Sequence, residues 1–252
     1  MRTALITGPT AGIGSAFARR LAADGFSPIL VARDERRLAE TATMLHRRYG
    51  VPCEVLPADL STEDGLTAVT DRLHKGVDLL VNNAGFGHPG ALLEVPVEDE
   101  LTMLRVHCEA VLRLTLAALP GMRSRGRGAV INVASVAAFF TRGTYSASKA
   151  WVVNFSESVA SEIIEPRVRV MALCPGFVHT EFHQRASVDV SGIPEFLWLT
   201  PDRVVNDAMR DLALGRWVCV PGAQYKAIVA VGRLLPHGLT GRVSQRLGRR
   251  PR

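Results

Sequence analysis

Tyr145 and Lys149 stand four residues apart in Tyr145-Ser146-Ala147-Ser148-Lys149, so on a helix a phenol and an ammonium share one face. A cation held beside a buried tyrosine favours the phenolate and draws the phenol pKa down from about 10 toward the range of a working acid/base. The pair is then a proton-transfer device, although the same spacing also fits an amphipathic helix with a surface lysine. A second signal lies near the N-terminus. Arg2-Thr3-Ala4-Leu5-Ile6-Thr7 reads as a short strand, Gly8-Pro9-Thr10-Ala11-Gly12-Ile13-Gly14 as a glycine-rich turn, and Ser15 to Ala23 as a helix. Such a turn brings backbone close to a pyrophosphate and aims unpaired helix N–H groups at it. The spacing is Gly-x-x-x-Gly-x-Gly and no Gly-Lys-Ser/Thr follows, which disfavours ATP chemistry of the P-loop kind.

These groups need a scaffold that brings distant segments to one edge. Strand-like runs at Ser27–Ala32, Pro52–Pro57, Val77–Val81, Ala129–Val133, Val168–Leu173 and Trp217–Val220 alternate with helical stretches. That alternation specifies an α/β fold, a Rossmann-type doubly wound parallel sheet with helices on both faces. The 252 residues, 47% of them hydrophobic, suffice for one such domain and do not require two. Ligands of these sheets bind beyond the carboxyl ends of the strands. The glycine turn follows the first strand, Asn82–Gly85 the fourth, Ser135 the fifth and Pro175–Gly176 the sixth.

Taken in order, Thr7-Gly8-x-x-x-Gly12-Ile13-Gly14, Asn82-Asn83-Ala84-Gly85, Ser135, Tyr145-x-x-x-Lys149 and Pro175-Gly176 with Thr180 resemble the short-chain dehydrogenase/reductase family from Thr7 to about Phe182. The resemblance implies a nicotinamide-dependent oxidoreductase. In it Ser135 polarises a substrate carbonyl, Tyr145 exchanges the proton as general acid/base, and Lys149 holds the ribose hydroxyls while tuning the tyrosine. It implies a cofactor cradle from Gly8, Thr10, Gly12, Ile13 and Gly14, with Asp59 and Leu60 along the adenine and Asn83, Ala84 and Gly85 along its ribose. Tyr145, Lys149, Pro175, Gly176, Val178 and Thr180 complete it on the nicotinamide side, where Thr180 would contact the nicotinamide amide. At the end of the second strand the family's NAD-preferring members carry an acid where Ala32 stands, and its NADP-preferring members a base where Arg33 stands, so NADP(H) is expected over NAD(H). Asp34 is either a helix N-cap or a competing hydroxyl acceptor.

Two departures from the family pattern stand out. Ser135 precedes Tyr145 by only ten positions, so the loop Val136–Thr144 must be tight. His107 occupies the place of an asparagine that holds a water leading to the lysine. Two readings are open for it: a titrating member of the proton path, counted with Ser135, Tyr145 and Lys149 as catalytic, or a satisfied structural histidine.

The part through Asp211 carries 22 basic and 24 acidic groups, and the eight remaining basic residues follow it with no acid among them. We therefore expect residues 1–222 to form the NADP(H)-binding domain and 223–252 a basic, partly amphipathic extension in which Leu235, Leu239, Val243 and Leu247 recur every four residues. That extension either docks its leucines on the domain or makes peripheral contact with the inner face of an anionic membrane. Nucleic acid is not expected, since no reader motif accompanies the charge. Within a lid of about 181–200, Phe182, Ile193, Phe196, Leu197 and Trp198 suit an apolar carbonyl or alcohol substrate. The resemblance further implies a homodimer or homotetramer built on the helices around Glu98–Leu119 and Tyr145–Ile164. The four cysteines lie far apart without metal-ligand spacing, and no metal is expected. The chain enters its first strand at once and has no apolar run of membrane-spanning length, so a cytoplasmic location is expected. The competing class is a dinucleotide-binding regulatory or scaffold protein with little turnover, conceivable because of His107 and the short loop.

Overall fold

A computed structural model describes residues 2–88, 92–141, 143–182 and 192–234. Strands β1 (Arg2–Thr7), β2 (Phe26–Ala32), β3 (Glu54–Pro57), β4 (Leu79–Asn82), β5 (Gly128–Val133), β6 (Val168–Leu173) and β7 (Val218–Cys219) form one sheet in the order β3-β2-β1-β4-β5-β6-β7. Every pairing is parallel, with Leu5 opposite Ile29 and Leu80, and Ile131 opposite Val81 and Met171. The doubly wound sheet read from the sequence is the fold, with strand ends shifted by one or two residues.

Successive strand residues point to opposite faces, and the core divides accordingly. Ala4, Ile6, Leu30, Ile131 and Met171 pack under α1 (Gly12–Ala23), α2 (Glu35–Tyr49) and the helix Pro201–Ala213, which contribute Phe17, Leu38, Leu45, Val204 and Ala208. Leu5, Ile29, Val31, Leu80 and Val130 pack on the other side against α3 (Glu63–His74) and Ala110–Ser124, through Leu66, Val69, Leu114 and Met122. Burial on both faces is why these strands read as continuous apolar runs rather than alternating ones.

Between β4 and β5 lie α4 (Val97–Leu104), a π-helical turn Arg105–Glu109, and α5 (Ala110–Ser124). After β5 a 3-10 turn, Val136–Phe139, fills the short loop before α6 (Gly143–Glu162). Beyond β6 come α7 (Pro201–Ala213), capped by the Thr200 hydroxyl with Pro201 in its first turn, and α8 (Ala223–Leu234).

The extension expected from residue 223 does not begin there. In α8, Tyr225 and Val229 are buried, and Tyr225 belongs to the core cluster beneath α1 and α7. The apolar run Ala227–Val231 is part of this packed helix, so the domain reaches past residue 222. Leu235, Leu239, Val243 and Leu247 lie outside the described residues. Among the described residues, no helix is long and apolar enough to cross a membrane and no acidic, histidine and cysteine cluster could hold a metal.

Candidate active site

The ends of β1 and β4 are stitched together at the floor of the site. Thr7 Oγ1 accepts the N–H groups of Asn83 and Ala84, each at 2.9 Å, and Asn83 Nδ2 donates to the carbonyls of Thr7 at 2.9 Å and Gly8 at 3.1 Å. Asn83 is therefore committed to shaping the glycine turn through its side chain. A Cβ on Gly14 would stand 2.1 Å from the Gly8 carbonyl oxygen, so only glycine permits this closure. Gly12 has φ +53° and lies against Thr180, whose Cγ2 would be 2.9 Å from an added Cβ. The glycine turn and the Thr180 segment thus meet face to face, with Ile13 packed on the core below. Helix α1 begins inside the turn, at Gly12, earlier than the Ser15 start read from the sequence, and its N-cap, Ala11, offers no side-chain bond. Its first N–H groups are left to an anion, which fits a dinucleotide pyrophosphate.

At the far end of this cradle, Arg33 follows β2 and is exposed. Asp59 lies within its electrostatic reach, and its Oδ1 accepts the Ser61 N–H and hydroxyl at 2.9 and 2.7 Å. Against the cost of burial, these bonds and Arg33 hold the Asp59 carboxyl below its ordinary pKa. A Cβ on Gly65 would stand 2.0 Å from the Asp59 carbonyl oxygen, so α3 begins tight against this residue, and Leu60 is buried beside it. Asp34 is the N-cap of α2, accepting the Arg37 N–H at 3.0 Å, which settles its role as a cap. Arg37, which the sequence did not single out, reaches back to the Thr10 carbonyl at 3.3 Å and pairs with Glu181 at 3.7 Å. Its signal was its place one helical turn beyond Arg33.

The candidate catalytic residues Ser135, Tyr145 and Lys149 come together across β5 and α6. Ser135 caps the 3-10 turn, its Oγ accepting the Ala137 N–H at 3.1 Å, and lies within reach of the Tyr145 phenol, whose pKa it lowers. The ten-residue spacing therefore closes, because the chain between them coils rather than loops out. Lys149, buried, donates to the Val133 carbonyl at 3.0 Å with its Nζ 5.8 Å from the Tyr145 ring centre. The expected depression of the tyrosine is reversed in the protein alone. Desolvation pushes the half-buried Tyr145 up to about 12, with Ser135 pulling it partly back, and desolvation also pushes Lys149 down to about 8. Burial outweighs the charge because the ammonium is turned to a backbone carbonyl rather than to the phenol oxygen.

His107 faces into this cluster from the π-helical turn, fully buried. Its Nε2 accepts the Phe86 N–H at 3.1 Å and its Nδ1 lies 3.0 Å from Ser148 Oγ, so both ring nitrogens are occupied by protein partners and hold no water. Desolvation, then Lys149 and His88, holds its pKa well below the usual histidine range. Of the two readings open for His107, these bonds suit the satisfied structural histidine.

After β6, Pro175 accepts the Val136 N–H at 2.9 Å, and Val178 pairs as an isolated bridge with Leu199. Gly176 lies flat on the Tyr225 ring, where a Cβ would come within 1.9 Å of Cζ. The Tyr225 hydroxyl accepts the Phe177 N–H at 2.8 Å and donates to the Leu197 carbonyl at 2.6 Å. One phenol thus bolts the Pro175–Gly176 loop to the base of the lid. His179 stacks on Trp198 at 4.7 Å beside Glu195, and Phe182 lies 6.1 Å from the Tyr145 ring. Residues 183–191 of the lid lie outside the described residues. Sequence reading missed Tyr225 because it was assigned to the extension. Tyr225→Phe should lower stability by about 1–3 kcal/mol through the unpaired Phe177 N–H and Leu197 carbonyl, and raise KM for substrate more than it lowers kcat. Thermal unfolding with steady-state kinetics reads both, and an unchanged Tm with unchanged KM would contradict the bolt.

A glycine cradle at the first strand, a Ser135–Tyr145–Lys149 cluster at the fifth, and a loop bridging them at the sixth define a dinucleotide-binding oxidoreductase site. Residues 2–190 match the family model described as short chain dehydrogenase. The chain belongs to the short-chain dehydrogenase/reductase family of oxidoreductases, which use nicotinamide dinucleotides and act on small-molecule carbonyls or alcohols. It is 36% identical over 227 residues to the granaticin polyketide synthase putative ketoacyl reductase 1 of Streptomyces violaceoruber, covering 85% of this chain and 80% of that one. Among solved structures it resembles a short-chain dehydrogenase from Sphingobium yanoikuyae in complex with NADPH, at 32% identity and TM-score 0.84, covering 92% and 94% of the two chains. The bulky-bulky ketone specific alcohol dehydrogenase from Comamonas testosteroni matches at 27% identity and TM-score 0.80 over 93% of this chain and 92% of that one.

Proposed function

We propose that this protein transfers hydride between NADP(H) and an apolar carbonyl/alcohol pair, with Tyr145 as general acid/base. The observation that carries the reading is that Ser135 stands within reach of the Tyr145 phenol beside buried Lys149, with the uncapped glycine turn after β1. With its pKa at about 12, Tyr145 keeps its proton at neutral pH and is poised as the acid of carbonyl reduction. A carbonyl oxygen received by the Ser135 hydroxyl and the Tyr145 phenol accepts two hydrogen bonds, which draw electron density from its carbon. As that oxygen gains charge, the phenol proton passes to it, and the Lys149 ammonium stabilises the phenolate left behind. Bound NADP(H) supplies or takes the hydride.

Preference for NADP(H) is supported by Arg33 at the end of β2, by Arg37 beside it, and by the NADPH-bound relative. Phe182, 6.1 Å from the Tyr145 ring, and the paired rings of Phe177 and Trp198 support an apolar substrate, as do the names of the ketoacyl and bulky-ketone relatives. Following NADPH oxidation across ketones of graded apolar size tests the proposal. Turnover rising with apolar bulk is the expected result, and tight NADPH binding with no turnover on any of them would instead support a scaffold.

Lys149 also sets an expectation for pH. Its charge is lost as pH rises through about 8, so kcat/KM for NADPH in the reduction direction should be level from about pH 6 to 7.5 and fall above 8. No step in the histidine range is expected from His107. An acid limb near pH 6.5 would contradict this assignment of charges.

We further propose a homodimer or homotetramer through α4 and α5, on which Val97, Leu101 and Leu116 are exposed, and peripheral membrane contact of a cytoplasmic protein through residues 235–252. Light scattering reads the first, and a failure to sediment with anionic vesicles would overturn the second.

A further inference from the structure

The imidazole of His107 joins the segment leaving β4 to helix α6. On one side is the chain leaving β4. The Phe86 N–H donates to His107 Nε2 at 3.1 Å, and Gly85 lies so close that an added Cβ would be 2.9 Å from Nε2, 3.3 Å from Cδ2 and 3.5 Å from Lys149 Nζ. On the other side is the first full turn of α6. His107 Nδ1 lies 3.0 Å from Ser148 Oγ, whose hydroxyl donates to the Tyr145 carbonyl at 2.8 Å. The donors and acceptors form a sequence with one consistent direction. Nε2 accepts a hydrogen bond from a backbone N–H and so carries no proton, and Ser148 donates its own proton to a carbonyl and so must accept from Nδ1. The tautomer is thereby fixed as Nδ1–H. The ring is also held edge-on to Tyr145, 5.6 Å between centres, and against Phe86 at 5.8 Å. The π-helical turn puts it there: the extra residue in the turn rotates His107 inward between α4 and α5.

We propose that His107 is a positioning residue: its neutral imidazole clasps the Gly85–Phe86 segment to Ser148 on α6, and through Ser148 sets the Tyr145–Lys149 turn against the loop that shapes the cofactor cradle. It rests on the catalytic roles given above to Tyr145 and Lys149. A proton added at Nε2 would break the Phe86 bond and place a second cation beside Lys149, so the clasp works only uncharged. The ionisable groups that face it are Lys149 and Tyr145 from α6 and His88 from the segment after β4, with Cys108 next to it in the chain. None supplies an anion that would favour a charged ring.

The two halves of the clasp can be separated. A glutamine amide reaches about as far as Nε2 and can accept the Phe86 N–H, while an asparagine amide reaches about as far as Nδ1 and can donate to Ser148. His107→Gln should therefore free the Tyr145 turn and lower kcat on the order of tenfold with the NADPH dissociation constant within about twofold. His107→Asn should keep the turn and loosen the β4 segment, weakening NADPH severalfold with kcat largely retained. Both constants unchanged in both variants would reduce His107 to filler and overturn the proposal. Nitrogen-15 NMR of the wild-type imidazole is independent of turnover and of variant folding. It should show a protonated Nδ1 and a bare Nε2 unchanged from pH 5.5 to 8.5. Protonation within that range, or the opposite tautomer, would overturn the clasp even in an active enzyme. The expected spectrum in a protein that reduces no carbonyl would instead count only against the proposed function.

Discussion

Tyr145→Phe should lower kcat by roughly 10²–10⁴-fold while NADPH affinity stays within a few-fold. The substitution removes one oxygen and its proton. The ring keeps its edge contact with His107 and its place beside Phe182, and Lys149 keeps its bond to the Val133 carbonyl, so the cradle is undisturbed. Ser135 remains to bind a carbonyl oxygen, but no group of comparable reach can then deliver a proton to it. Lys149→Ala is the useful contrast, because it removes both the cation that receives the phenolate and a hold on the cofactor, and should damage kcat and NADPH binding together. Near-normal turnover of the Phe variant in steady-state assays would mean that another group carries the proton.

Arg33→Ala should weaken NADPH binding by about 1.5–3 kcal/mol, the scale of a hydrogen bond between charged groups, and NADH binding much less. The guanidinium is exposed, so solvent screening places the expected loss toward the lower end. Arg37, anchored on Thr10 and Glu181, supplies a second positive charge at this end of the cradle, so the variant should bind NADPH weakly rather than lose it. Fluorescence titrations with both cofactors read the difference, and equal losses would remove Arg33 from the 2′-phosphate.

The sheet was legible because strands buried on both faces write unbroken apolar runs such as Ala4-Leu5-Ile6 and Leu79-Leu80-Val81, and because chemistry-bearing motifs fell at their ends. The cradle was legible through glycines that no other residue could replace, Gly14 above all. What pattern could not give was where side-chain bonds end. Tyr225 sits in a stretch whose composition resembles a tail, and only the fold places its hydroxyl between Phe177 and Leu197. Nor could spacing decide between charge and burial at Tyr145: helical proximity to Lys149 was right, but the orientation of Nζ toward Val133 and the desolvation of both groups came from packing. The buried amides of Asn82 and Asn132, bonded to each other at 2.9 Å and extended to Thr115 and Ser156, are a further case. They tie β4 and β5 to α5 and α6 beneath the catalytic residues, and one asparagine looks like another until its neighbours are known.

In the proposed reaction hydride leaves NADPH for a carbonyl carbon while Tyr145 protonates the oxygen. Reducing a bulky apolar ketone with NADPH deuterated at C4 of the nicotinamide, using each deuterated face in turn, and examining the alcohol by NMR tests it directly. Deuterium should appear on the carbinol carbon from one face only in the wild-type protein, and Tyr145→Phe carrying bound NADPH should form labelled alcohol at least about 100-fold more slowly. Alcohol formed without deuterium from either face, or labelled alcohol formed at the wild-type rate by the Phe variant, would contradict it.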